Sequence, residues 1–196
     1  MRSVMTLLFA ILLGMAPAAA QTANPAEQFV SGNIRAGLAI LNDTSLDTST
    51  RTARFERFLL DNTDLGRIAL FTLGSAPATP AQRDAFVAAF NGYATTVYRS
   101  YFRNYTGQTL AVTGSRQNAP GDIVVRALMT DAGGAALPVD FRVRTDGPRP
   151  LVMDVGFAGI WLAVTQRDDF AAFLARNKGD VAALTDYLAT RAKAIR

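Results

Sequence analysis

The hydrophobic period of this chain changes at Gly107 and changes back after Phe157. Before Gly107, apolar residues recur at three- and four-residue spacing; between them residues alternate two by two; afterwards the helical spacing returns. Val30, Ile34, Leu38 and Leu41 predict a first helix over Pro25 to Leu41. Phe55, Phe58 and Leu59 predict a second, from about Thr50 to Asn62. Leu65, Ile68 and Leu73 predict a short third one, stopped by Gly74. Four strands follow, in "QTLAVTG", "GDIVVRALMT", "LPVDFRVR" and "LVMDVGF", then two helices around "RDDFAAFLARN" and "DVAALTDYLATRAKA". Helices, then strands joined by short turns, then helices predict an α+β domain with an antiparallel meander sheet of about four strands.

Charge assigns the faces of that sheet. In "LPVDFRVR", Leu137, Val139, Phe141 and Val143 alternate with Asp140, Arg142 and Arg144, so the apolar set faces inward. Arg126 sides with Val124 and Leu128, which leaves Ile123, Val125, Ala127 and Met129 on the charge-free face. Asp154 sides with Val152 and Gly156, so Leu151, Met153, Val155 and Phe157 are expected inward and Asp154 outward.

The fourth helix is the most unusual segment. "ATPAQRDAFVAAFNGYATTVYRSYFRNYTG" holds four of the five tyrosines in the chain. Thr79 and Gln82 form a capping box around Pro80, and Gly107 ends the segment. At ~100° per residue, Phe86, Phe90, Tyr93, Val97 and Tyr101 fall in one stripe that Tyr98 and Tyr105 widen, so about half the circumference is apolar. Two readings stay open. The stripe is either a filled core, the usual fate of large rings, or the wall of a hollow. Tyrosine favours the second, because a buried hydroxyl needs a hydrogen-bond partner, and ligand sites mix apolar walls with a few polar groups.

Composition removes most chemistry. With neither histidine nor cysteine in 196 residues, the chain has no Ser-His-Asp triad, imidazole or thiolate metal ligand, thiol nucleophile or disulfide. No calcium loop or phosphate-binding glycine motif occurs, and no cofactor is expected. The basic residues are scattered singly, which argues against nucleic acid. The opening "MRSVMTLLFAILLGMAPAAAQ" has the charged, apolar, small-residue order of a secretory signal peptide. Cleavage is expected between Ala20 and Gln21, leaving 21–196 as one exported domain.

Three segments together resemble the MlaC family, also called the toluene-tolerance family, of periplasmic phospholipid-binding proteins. They are "RFLLDNTDLGRIALFTLG", "TPAQRDAFVAAFNGYATTVYRSYFRNYTGQTLAVTG" and "DVGFAGIWLAVTQRDDF", the last through Asp154, Gly159, Ile160, Leu162, Arg167 and Phe170. The resemblance implies a strongly curved sheet, wrapped by N- and C-terminal helices around an apolar pocket that holds lipid tails and leaves the headgroup outside. It also implies a shuttle between an outer-membrane lipoprotein complex and an inner-membrane ABC transporter, maintaining outer-membrane lipid asymmetry. On this reading the lipid meets Phe86, Phe90, Tyr93, Val97, Tyr98 and Tyr101 of the fourth helix. From the strands it meets Ile123, Val125 and Met129, then Val139, Phe141 and Val143, then Met153, Val155 and Phe157. At the junction it meets Ile160 and Trp161. Trp161 stands where the family commonly has serine, and is expected to fill part of the hollow. A hopanoid or other apolar ligand is an alternative cargo. A small periplasmic enzyme using Asp154 and Tyr93 as acid and base is a further alternative.

Overall fold

The structure, a computed structural model, describes residues 24–103 and 105–194, with the backbone alone over 98–103. The expected leader, 1–20, and the side chains of Tyr98 and Tyr101 lie outside the described residues.

Helix α1 (Pro25–Leu41) starts where Asn24 accepts a hydrogen bond from the Ala26 N–H and Pro25 occupies the first turn. Helix α2 (Thr48–Asn62) starts at Asp47, whose carboxylate accepts from the Thr50 N–H. Three hydrogen bonds from Ser49 and Thr50 hold that carboxylate well below the usual aspartate range. Helix α3 (Leu65–Leu73) is capped by Asp64 and ends at Gly74 with φ 65°, a left-handed conformation that glycine adopts without a Cβ clash. Helix α4 (Pro80–Arg103) opens on the expected capping box: the Thr79 N–H donates to Gln82 Oε1 and the Gln82 N–H to Thr79 Oγ1.

Five strands follow: β1 (Thr109–Ala119), β2 (Asp122–Thr130), β3 (Ala136–Arg144), β4 (Leu151–Phe157) and β5 (Ile160–Trp161). They pair antiparallel in the order β1-β2-β3-β4-β5, an open meander. The fifth strand was not expected. It is two residues long, and Ala158 and Gly159, both with positive φ, turn the chain straight back on β4. Helices α5 (Leu162–Arg176) and α6 (Val181–Ala194) close the fold. Among the described residues no helix is long and apolar enough to cross a membrane.

Register supports the face assignment for β2 and β3. Ile123 lies opposite Val143, Val125 opposite Phe141, and Ala127 opposite Val139. The other face carries ion pairs. Arg126 donates to both oxygens of Asp140 at 2.7 and 2.8 Å, and Arg142 pairs with Asp122 at 2.7 Å; each arginine holds its carboxylate below the usual range. On β4 the expectation fails at one end. A bulge between Arg142 and Val143 puts Val152 opposite Val143 and Leu151 opposite Arg144. The extra residue reverses the parity of everything before it. Val155 and Phe157, beyond the bulge, keep their places opposite Phe141 and Val139.

Two buried clusters frame the molecule. The larger joins α3 to α6: Phe86 and Phe90 of α4 meet Phe170 of α5 edge to face, with centroids 5.9 and 6.4 Å apart, and Leu184 and Leu188 of α6 are fully buried beside them. The smaller lays α1 on the sheet, Ala26 and Val30 against Val125 and Val143. Ser115 Oγ donates to Glu27 Oε1 at 2.6 Å and ties that contact at its edge.

Candidate functional site

Between the two clusters the helices and the sheet do not meet. A cavity of about 450 Å³ lies there, partly open to solvent and bounded mainly by apolar side chains. Helix α1 supplies the stripe read from its spacing, Val30, Ile34, Leu38 and Leu41. Helix α2 supplies Phe55, Phe58 and Leu59. No residue of α2 is fully buried, because one side of the helix faces the hollow and the other faces water. The two helices approach closely at Gly37, where a Cβ would stand 3.2 Å from the Phe58 ring. Phe90, Tyr93, Ala94 and Val97 come from α4, Leu110 from β1, Phe141 from β3, and Val152 and Val155 from β4. The start of α5 adds Leu162, Ala163, Thr165, Gln166 and Asp169.

Of the residues expected at the ligand, Phe90, Tyr93, Val97, Phe141 and Val155 line this cavity. Phe86 instead lies one turn deeper, wholly enclosed by the α3–α6 cluster. Val125, Val143 and Ile123 are covered directly by α1, which leaves no hollow over that part of the sheet. Val139 is buried, Met129 and Phe157 half-buried, and none of the three borders the cavity. The β4 bulge displaces Met153, which packs against the helical cluster while Val152 takes the cavity position. Ile160 is 63% exposed at the β4–β5 turn. Trp161 was expected to fill part of the hollow, but its ring lies over Gly156, where a Cβ would come within 3.2 Å, and it does not line the cavity.

Asp154 is buried rather than outward-facing, because β5 and the first turn of α5 fold over that side of β4. Its Oδ1 accepts from the Val155 N–H at 2.8 Å and the Ala163 N–H at 2.9 Å. Trp161, the N-cap of α5, offers no capping side chain, so Asp154 caps the helix from a neighbouring strand. Burial pushes its pKa up, while the two N–H groups and the Arg142 charge oppose that shift. Asp154, Ile68 and Ala163 also line a second cleft of about 290 Å³ with Arg67, Arg142 and Arg144, so they form the partition between the two. Asp154 and Tyr93 thus border one cavity, but the carboxylate oxygen that is engaged serves helix capping. Among the described residues no group of acidic side chains could hold a metal ion.

Sequence reasoning missed the α1 and α2 walls, although the α1 stripe was visible. A stripe half-buried beneath another helix has the same spacing as one facing a cavity. Leu162 was missed because it opens α5, two residues after an exposed turn.

Compared with known proteins, residues 33–190 match a family model described as MlaC protein. Among solved structures, a phospholipid-binding protein from Ralstonia solanacearum, solved in complex with a phospholipid, aligns with a TM-score of 0.75. The alignment covers 88% of this chain and 99% of that one at 24% identity, a likeness of fold. No curated protein matches the chain.

Proposed function

The chain belongs to the MlaC family, and from that premise we propose that it is a periplasmic shuttle carrying phospholipid between the outer and inner membranes. The observation that carries this reading is the apolar hollow of about 450 Å³ between two well-packed clusters. Natural interiors close such space, since each unfilled cubic ångström costs ~24 cal/mol. A void of this size and lining is what hydrocarbon would fill.

The physics of the task asks for nothing catalytic. Each methylene exposed to water costs ~0.8 kcal/mol, so a bare acyl chain crosses an aqueous gap at a negligible rate. A cavity as apolar as the bilayer removes most of that penalty and leaves transfer close to neutral. Direction then comes from the partners, which we take to be an outer-membrane lipoprotein complex and an inner-membrane ABC transporter. We further propose that residues 21–196 form one lipid-binding domain, and that sheet curvature and the flanking helices together enclose the cargo. The phospholipid bound in the Ralstonia protein supports the same class of ligand here.

Organic extraction of the purified protein, followed by mass spectrometry, tests the proposal. Phospholipid is the expected extract; protein that carries no lipid and takes none from vesicles rules the carrier out. A hopanoid in the extract would keep the carrier and change its cargo.

A further inference from the structure

The second cleft, of about 290 Å³, lies across the partition from the apolar cavity, and its lining is of a different chemistry. Arg67 comes to it from α3, and Arg142 and Arg144 come from β3. Guanidinium groups gathered in one cleft repel each other unless negative charge lies among them. Asp122, Asp146 and Asp154 line the same cleft and supply part of that charge.

Each of those carboxylates is already engaged. Asp122 accepts from Arg142 at 2.7 Å and from Asn118 at 2.8 Å. Asp146 accepts from Arg144 Nη1 at 2.9 Å. Asp154 is taken by two backbone N–H groups, one of them at the positive end of α5. The donors are not used up in the same way. Among the described residues the Arg67 guanidinium makes no hydrogen bond or ion pair; only its backbone N–H is engaged, with Asp64. Arg144 spends Nη1 on Asp146 and Nη2 on Asp64, while its buried Nε–H has no acceptor. Buried donors are nearly always paired, so an orphan on a residue that lines a cleft marks a place for an acceptor.

The missing partner is therefore an anion, and the arrangement says which kind. Guanidinium groups that arrive from two different elements need acceptor oxygens pointing in more than one direction. A carboxylate holds its oxygens in one plane; a phosphate group spreads them tetrahedrally. We propose that the second cleft is a binding site for a phosphate group, free in solution or at the head of a membrane lipid. Arg67 is its principal ligand and Arg144 its enclosed second donor. The site is separate from the apolar cavity and does not depend on what that cavity carries.

Isothermal titration calorimetry of the full chain, with inorganic phosphate against chloride at equal ionic strength, reads the site. One saturable phosphate per chain is expected, and none of that heat with chloride. Arg67→Ala should weaken phosphate binding at least about tenfold, the usual loss when a charge-assisted hydrogen bond is removed. Arg67→Glu should abolish it. Both variants should keep the urea midpoint of the wild type, since the Arg67 side chain has no partner to lose. Arg176→Ala removes the same charge at the other end of α5, about 20 Å from Ala163, and should bind phosphate as the wild type does. Absence of saturable phosphate binding overturns the proposal, and so do equal losses in Arg67→Ala and Arg176→Ala, which would reduce it to general attraction by a basic protein. Sedimentation with phosphatidylcholine vesicles, with and without phosphatidic acid, separates the two sources. Sedimentation that needs phosphatidic acid and Arg67 assigns the site to a lipid headgroup; phosphate binding without sedimentation assigns it to a free phosphate. Either result upholds the cleft as a phosphate site.

Discussion

The two ends of α4 carry the same aromatic stripe and meet different surroundings. At the first end, Phe86 and Phe90 are clasped by Phe170 and by the leucines of α6. At the second, Tyr93, Ala94 and Val97 border the hollow. Phe90 and Ala94 belong to both. The residue types change with the setting: rings without hydroxyls fill the dry end, and the first tyrosine appears where the cavity begins. Periodicity announces that a face is buried. Whether neighbouring elements descend far enough to fill the space is decided by which helices reach it, and α6 packs along α4 while α2 stands off.

The contrast is broken most easily by truncation. Phe86→Ala should cost ~3–5 kcal/mol, because a fully enclosed ring leaves a cavity behind. Val97→Ala should cost ~1 kcal/mol or less, since its side chain borders the cavity and is not part of the packed cluster. Urea denaturation measures both, and equal losses would erase the distinction between the packed and the hollow end.

Next in size is the partition. Asp154→Ala strands the N–H groups of Val155 and Ala163 and should cost ~2–4 kcal/mol. Asp154→Asn keeps an acceptor oxygen and should cost less than half of that. If the two variants unfold at the same urea concentration, the carboxylate is not the cap of α5.

Overpacking sharpens the comparison from the other direction. Ala69, fully enclosed in the α3–α6 cluster, should tolerate leucine poorly, at ~1–3 kcal/mol. Ala94→Leu has the cavity to grow into and should cost under ~1 kcal/mol. Its cost appears instead in lipid uptake from vesicles, which should fall.

How much of this was legible in the sequence follows from what spacing encodes. The six helices, the meander, the capping box at Thr79 and the inward faces of β2 and β3 are local patterns, and each is found where the pattern puts it. Leu151 and Met153 were misread because a single bulge residue shifts parity, and nothing in "LVMDVGF" marks it. Trp161 and Asp154 were misread for one reason: β5 folds the chain back over β4, a contact set by a two-residue turn rather than by any period. The α1 side of the cavity was readable as a stripe, but its partner was not.

The smallest expected effect separates the buried carboxylate from the surface pairs. Asp154 has its pKa raised by burial in the folded chain, so folding favours its protonated form. Its contribution is therefore most favourable below the unfolded aspartate value of ~3.9. It declines as pH rises through the raised folded value, and is constant and unfavourable above it. Asp122 and Asp140 have lowered values and run the opposite way, losing stability as pH falls through their folded values. They remain in both wild type and Asp154→Asn, as does Arg142, whose charge acts on Asp154, so the difference between the two proteins isolates Asp154. Relative to wild type, Asp154→Asn should gain stability with rising pH across that window and then hold level. Urea midpoints taken at several pH values would show it; a difference that stays flat from acid to neutral pH would mean Asp154 is solvated, and that the partition beside the cavity is open to water.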